Sequence, residues 1–119
     1  MSTAERYAAI VAELAAAAVD AAATDGQRID SLTWLERIKS AAAAAQARLT
    51  DSFAVSQREK LIKAGAKSQD ASRSITAQVA LARKDSPHKG SRHVGLAATL
   101  VHEMPRVLDA LERGETSEW

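Results

Sequence analysis

The sequence predicts an all-α fold: two long helices, as a hairpin or extended, then a compact, helix-turn-helix-like group of three short ones. Apolar residues recur at steps of three and four along most of the chain, as one face of a helix requires. No segment alternates apolar and polar residues in the manner of a half-buried strand. Serine, proline and glycine fall where such helices would start and stop.

The first helix is expected to run from about residue 3 to residue 23. Ser2-Thr3-Ala4-Glu5 has the capping-box pattern, in which hydroxyl and carboxylate each satisfy a free backbone N–H. Tyr7, Ile10, Val11, Leu14 and Ala18 make its apolar stripe, and Thr24-Asp25-Gly26 is read as its end, since glycine adopts the left-handed conformation at low cost. A second, longer pattern follows from Asp30, carried by Leu35, Ile38, Ala42, Ala45, Leu49 and Phe53. A helix of ~34 residues would be about 50 Å long, so part of it should project, pair with a second copy, or break near Thr50-Asp51-Ser52. The run Ala41 to Ala45 would let another helix approach closely, within the chain or across a homodimer seam. Lys63-Ala64-Gly65 reads as its end.

Composition then divides the chain into a long helical segment at 1–65, a polar linker at 66–73 and a short-helix group at 74–119. Within the last, Ile75, Val79 and Ala82 share one face. Ser86-Pro87 starts the next helix, with the proline at the first position, where a missing N–H costs nothing. Val94, Ala97, Val101 and Met104 are expected inward, and Pro105 opens a last helix carrying Val107, Leu108 and Leu111.

A chain of 119 residues suits one modest core, removing roughly two-thirds of the unfolded surface from water. Much of its apolar content is alanine, and Tyr7, Trp34, Phe53 and Trp119 are the aromatics. Thin packing between well-formed helices follows, because alanine favours helix while burying little area. With no cysteine, neither a disulfide framework nor a thiolate zinc site is expected. No window reaches the ~18 apolar residues of a membrane span and no leader pattern opens the chain, so the expectation is a cytoplasmic protein with no membrane partner.

Net charge is +1, but its distribution is uneven. Residues 58 to 93 hold nine Lys and Arg against three Asp and Glu, a balance of +6 between acidic flanks. Such asymmetry suits a polyanion or an acidic surface as partner. The corner ALARKDSPHKGSRHVGLAATL gathers Arg83, Lys84, Lys89, Arg92 and His93 between two helical patterns. A recognition helix offers its first turns to base edges while nearby cations meet phosphates. Arg83, Lys84 and Lys89 would then face phosphates and Arg92 could reach guanine. Against this, the turn is about two residues longer than the common motif uses, and an apolar residue would be expected at Arg92. The residues alone leave two readings open, a DNA contact and a solvated corner.

His88, His93 and His102 are separated by five and nine residues, neither being the four-residue step that sets two ligands on one helical face. No nucleophile elbow, glycine-rich phosphate loop or carboxylate pair stands out. No catalytic residue, metal or cofactor is therefore assigned.

The stretch from Ser74 to Trp119 resembles the core of a large actinobacterial family of HNH endonuclease-like proteins, the mycobacterial repeat-family proteins among them. The resemblance rests on Ala80-Leu81-Ala82, Ser86-Pro87, Leu100, Met104-Pro105, Leu108-x-Ala110-Leu111, Gly114 and Ser117-Glu118-Trp119. It implies a helical N-terminal domain of unknown function, either truncated or standing alone, associated with or descended from a nuclease whose histidine-and-asparagine metal motif has no counterpart here. The expected function is a DNA-associated accessory domain, non-catalytic by itself. The alternative is a helical protein-interaction or dimerisation module with no nucleic-acid role.

Overall fold

The computed structural model describes residues 1–116, and its contacts divide the chain into two units, Met1–Thr33 and the residues from Trp34 onward. Five helices, α1 (Thr3–Ala17), α2 (Asp25–Lys63), α3 (Ser68–Arg83), α4 (Pro87–His102) and α5 (Pro105–Glu112), make an all-α fold with no strand among the described residues. No helix among them is long and apolar enough to cross a membrane. The closing Ser117-Glu118-Trp119 of the resemblance lies outside the described residues.

In the first unit, the capping box at Ser2 forms as expected: Ser2 Oγ accepts from the Glu5 N–H at 3.1 Å, and the Ser2 N–H donates to Glu5 Oε2 at 3.3 Å. Helix α1 nonetheless stops at Ala17, six residues before the expected end at residue 23. A second capping box lies where that end was expected. Thr24 Oγ1 accepts from the Gln27 N–H at 3.2 Å while Gln27 Oε1 accepts from the Thr24 N–H at 2.9 Å. Thr24-Asp25-Gly26-Gln27 therefore opens α2 instead of closing α1. No residue of α1 is buried, so its apolar stripe builds no core.

Helix α2 runs without a break through Thr50-Asp51-Ser52. In the second unit its buried residues are Ser40, Ala43, Ala44, Ala47, Thr50 and Asp51, and the larger Leu35, Ile38 and Leu49 lie exposed. The expected apolar stripe is thus displaced around the helix, onto the alanine run, of which Ala43 and Ala44 are buried. Its position is set by how near two backbones can come, which favours methyl side chains over larger ones. Ala44 and Ala47 close with Ala97 and Leu100 of α4 and Leu108 and Leu111 of α5 into one buried cluster. Polar groups complete the seam: Thr50 Oγ1 stands 2.9 Å from His93 Nε2, and Asp51 Oδ2 stands 2.8 Å from His102 Nε2. Arg48 adds an ion pair to Glu112 at the rim, its Nε donating to Oε1 at 2.9 Å.

Residues 68–73, read from composition as linker, are the first turns of α3, and Ala71 within them is buried. Arg58 of α2 reaches across to donate to the hydroxyls of Ser68 at 3.3 Å and Ser72 at 2.6 Å. A further difference concerns which side chains point inward. Met104 and Ala82 are exposed, whereas Gly90, His93 and Ala80 are buried.

Three helix ends share one geometry. After α2, the Ala66 N–H donates to the Leu61 carbonyl at 2.9 Å and Gly65 has φ +97°. After α5, the Glu115 N–H donates to the Ala110 carbonyl at 2.9 Å, with Gly114 at φ +71°. After α3, the Asp85 N–H donates to the Ala80 carbonyl at 2.8 Å, but the left-handed residue is Lys84, at φ +56°. These are Schellman closures, and two of the three use the glycine that the left-handed position favours.

Helices α3 and α4 touch backbone to side chain at Gly90. A Cβ placed there would lie 2.7 Å from Ala80 Cβ and 3.1 Å from the Thr76 carbonyl oxygen, and neither can swing aside. Gly95, on the same helix, has open space around it. Gly90→Ala is therefore expected to lower unfolding free energy by about 1–3 kcal/mol through overpacking. Gly95→Ala should raise it, by up to about 1 kcal/mol, through helix propensity. Urea unfolding of the two variants beside the parent checks both signs.

Candidate functional site

The α3–α4 corner is built by its closure. The left-handed Lys84 turns the chain sharply enough for three residues, Lys84-Asp85-Ser86, to join the two helices. Ser86 Oγ accepts from the Lys89 N–H at 3.2 Å and Pro87 takes the first helical position, so α4 starts at once. A lysine at positive φ costs roughly 1 kcal/mol against glycine. That cost falls at the most basic corner of the chain.

Beside the corner lies a cleft of about 330 Å³. Arg83 comes from the last turn of α3, Asp85 from the turn, Lys89, Arg92 and His93 from the first two turns of α4, and Gln46 from α2. Four of the five basic residues expected at the corner, Arg83, Lys89, Arg92 and His93, thus meet around one concavity. Lys84 is exposed and does not line it. Lys89 and Arg92 are three residues apart on α4, which sets them on neighbouring positions of one face.

The charges are not equivalent. Arg83 donates through Nε to Asp85 Oδ2 at 3.0 Å, and both side chains are mostly covered. Its Nη1 is buried with no hydrogen-bond partner. Lys89 and Arg92 stand exposed, without an ion pair among the described residues. His93 is buried, and burial first, then the neighbouring Arg83 charge, hold its pKa below the ordinary 6.5. Asp85 and the Gln46 carbonyl work in the opposite direction without overcoming them. The histidine accordingly acts as a neutral hydrogen-bonding wall, tied to Thr50, while positive charge comes from the arginines and lysine.

The other two histidines go elsewhere. His102 pairs with Asp51 on the α2 seam, and His88 is exposed on the first turn of α4. Among the described residues no three His, Asp or Glu side chains gather as a bound metal would need. Two polar cleft residues escaped the sequence reading. Asp85 carried a signal, being the one acidic residue two positions from Arg83. Gln46 carried none, since it arrives from another helix.

Comparison with protein-family models, with curated proteins and with solved structures gives no match for this chain.

The buried His93 sets a pH dependence. In the folded chain it binds its proton more weakly than in the unfolded chain. Between its lowered folded value and about 6.5 the unfolded state holds more protons, so stability falls as pH falls through that window and levels off below it. The slope there is at most about 1.4 kcal/mol per pH unit. Thermal midpoints followed from about pH 8 to about pH 5 should show this decline, and His93→Gln should flatten it; an unchanged slope in the variant would assign the effect to another group.

Proposed function

We propose that this chain is a DNA-associated helical accessory domain, non-catalytic by itself and similar to the N-terminal part of HNH endonuclease-like proteins. The observation that supports this most is the convergence of Arg83, Lys89 and Arg92 on one cleft at the start of α4. Cations brought together by different helices have no structural need to be so close, and their mutual repulsion is relieved by a polyanion. A second concavity lined by Ser72, Arg73, Thr76 and Ser91 adds hydroxyl donors of the type that contact phosphates. Lys84, held outward at the turn, suits a further phosphate contact. The cytoplasm is the compartment this reading expects.

One observation favours a second reading, a protein-interaction or dimerisation module. Leu35, Ile38, Ala42, Ala45 and Leu49 follow steps of three and four on α2, the spacing of a two-helix seam, and Leu35, Ile38 and Leu49 are 41 %, 38 % and 53 % exposed. Sedimentation separates the readings. Self-association that Ile38→Glu with Leu49→Glu abolishes would favour the module, whereas a monomer at all concentrations would remove it.

For DNA, the expected result is binding to a short labelled duplex or strand that weakens steeply with salt. Three to four phosphate contacts correspond to a slope of about −3 in log affinity against log salt. Charge reversal at the exposed Lys84, Lys89 and Arg92 should abolish binding with helicity retained by circular dichroism. Affinity undiminished in that variant, or no binding even at low salt, would refute the proposal.

A further inference from the structure

Arg83 is a guanidinium committed on one edge and unmatched on the other. Asp85 fixes it through Nε at 3.0 Å, and its Nη1 is buried without an acceptor. A charged donor kept from water with nothing to bond is among the costlier arrangements a fold can hold. The side chain lines the cleft, and with Nη1 out of reach of water, what the cleft meets is the fixed positive charge of a guanidinium held by Asp85. Asp85 is engaged with that same arginine, which leaves its charge already matched.

The remaining cleft describes the ligand. Lys89 and Arg92 stand at an exposed rim, and His93 contributes a buried, uncharged wall. Arg83, Lys89 and Arg92 against Asp85 leave two positive charges. An internal diester of a nucleic-acid backbone carries one negative charge and is flanked by a sugar on each side. A phosphomonoester projects from the end of a strand, carries about −1.5 to −2 at neutral pH and offers three acceptor oxygens. The volume, about 330 Å³, is room for a phosphate with its sugar. Gln46 lines that space from α2.

We infer that this cleft binds a phosphomonoester, as borne by the phosphorylated end of a nucleic-acid strand, with Arg83 as a fixed cation in its wall and Lys89 and Arg92 closing on it from the rim. The inference rests on the nucleic-acid reading above and narrows it: the chain holds strand ends, and the remaining basic surface supports the strand behind them. The same chemistry is offered by a free mononucleotide, and the two sources separate experimentally.

The experiment uses the full chain and single strands of one sequence carrying a 5′-phosphate, a 3′-phosphate or hydroxyls at both ends, followed by fluorescence anisotropy. A phosphorylated end should bind about tenfold more tightly than the hydroxyl strand, the effect of one or two added charge-assisted hydrogen bonds. Lys89→Gln with Arg92→Gln, both at exposed positions, should bring that ratio below about twofold. Arg83→Lys, which keeps the charge but loses the guanidinium fork, should lower it as well. Equal affinity for phosphorylated and hydroxyl ends overturns the inference and leaves the nucleic-acid reading standing. In parallel, the His93 ring signals are followed by NMR during titration with a nucleoside monophosphate and with the bare nucleoside. If no strand binds but the monophosphate alone shifts those signals, the phosphomonoester site stands and the nucleic-acid reading falls. If neither binds, both fall.

Discussion

The distance between α2 and α4 is the quantity on which the second unit depends. Ala43, Ala44 and Ala47 present only methyl groups, and Ala97 answers them from α4, so large side chains do not hold the helices apart. At that separation a threonine and an aspartate of α2 reach the two histidines of α4. Ala44 and Ala47 are fully buried, so a leucine at either would find no free space. The cleft depends on the same distance, because Gln46 lies on α2 and Arg92 and His93 lie on α4.

A second close approach fixes α3 against α4. Gly90 against Ala80 leaves no room for one further carbon, and the Lys84 closure delivers the chain to that point. Arg83 therefore ends its helix within reach of Asp85 and beside the first turns of α4. The close approach at Gly90 thus brings cations from α3 and α4 to one concavity. Electrostatics alone would have kept them apart.

Much of this was legible in the sequence wherever the signal was local. Ser2 with Glu5, Ser86 with Pro87, and Gly65 and Gly114 mark their helix termini as the spacing predicts. Thr24-Asp25-Gly26-Gln27 misled because a glycine after a long helical pattern imitates a terminator, while the Thr24–Gln27 reciprocity that makes it an opener depends on a residue one place further on. The alanine run does enter the buried face, but the stripe of larger residues on α2 does not, for another reason. Periodicity weighs residues by hydrophobic size, and here the buried face is chosen by smallness and by the partners that Thr50 and Asp51 find on a helix more than forty residues away. At the corner, the basic cluster could be read from charge alone, whereas the burial of His93 and the tie between Arg83 and Asp85 required the third dimension.

The alanine seam also has a thermodynamic consequence. A core that gains contact by proximity, with Ala44, Ala47 and Ala97 at its centre and Leu100, Leu108 and Leu111 as its larger members, exposes little hydrocarbon for each residue that unfolds. The heat-capacity increment of unfolding scales with that hydrocarbon area, and polar exposure subtracts from it. The second unit therefore sits at the low end of the usual increment, and its stability curve is broad and shallow. Enthalpy and entropy of unfolding then change slowly with temperature, so the fold varies little in stability across the range in which a leucine-rich core of the same length would rise and fall.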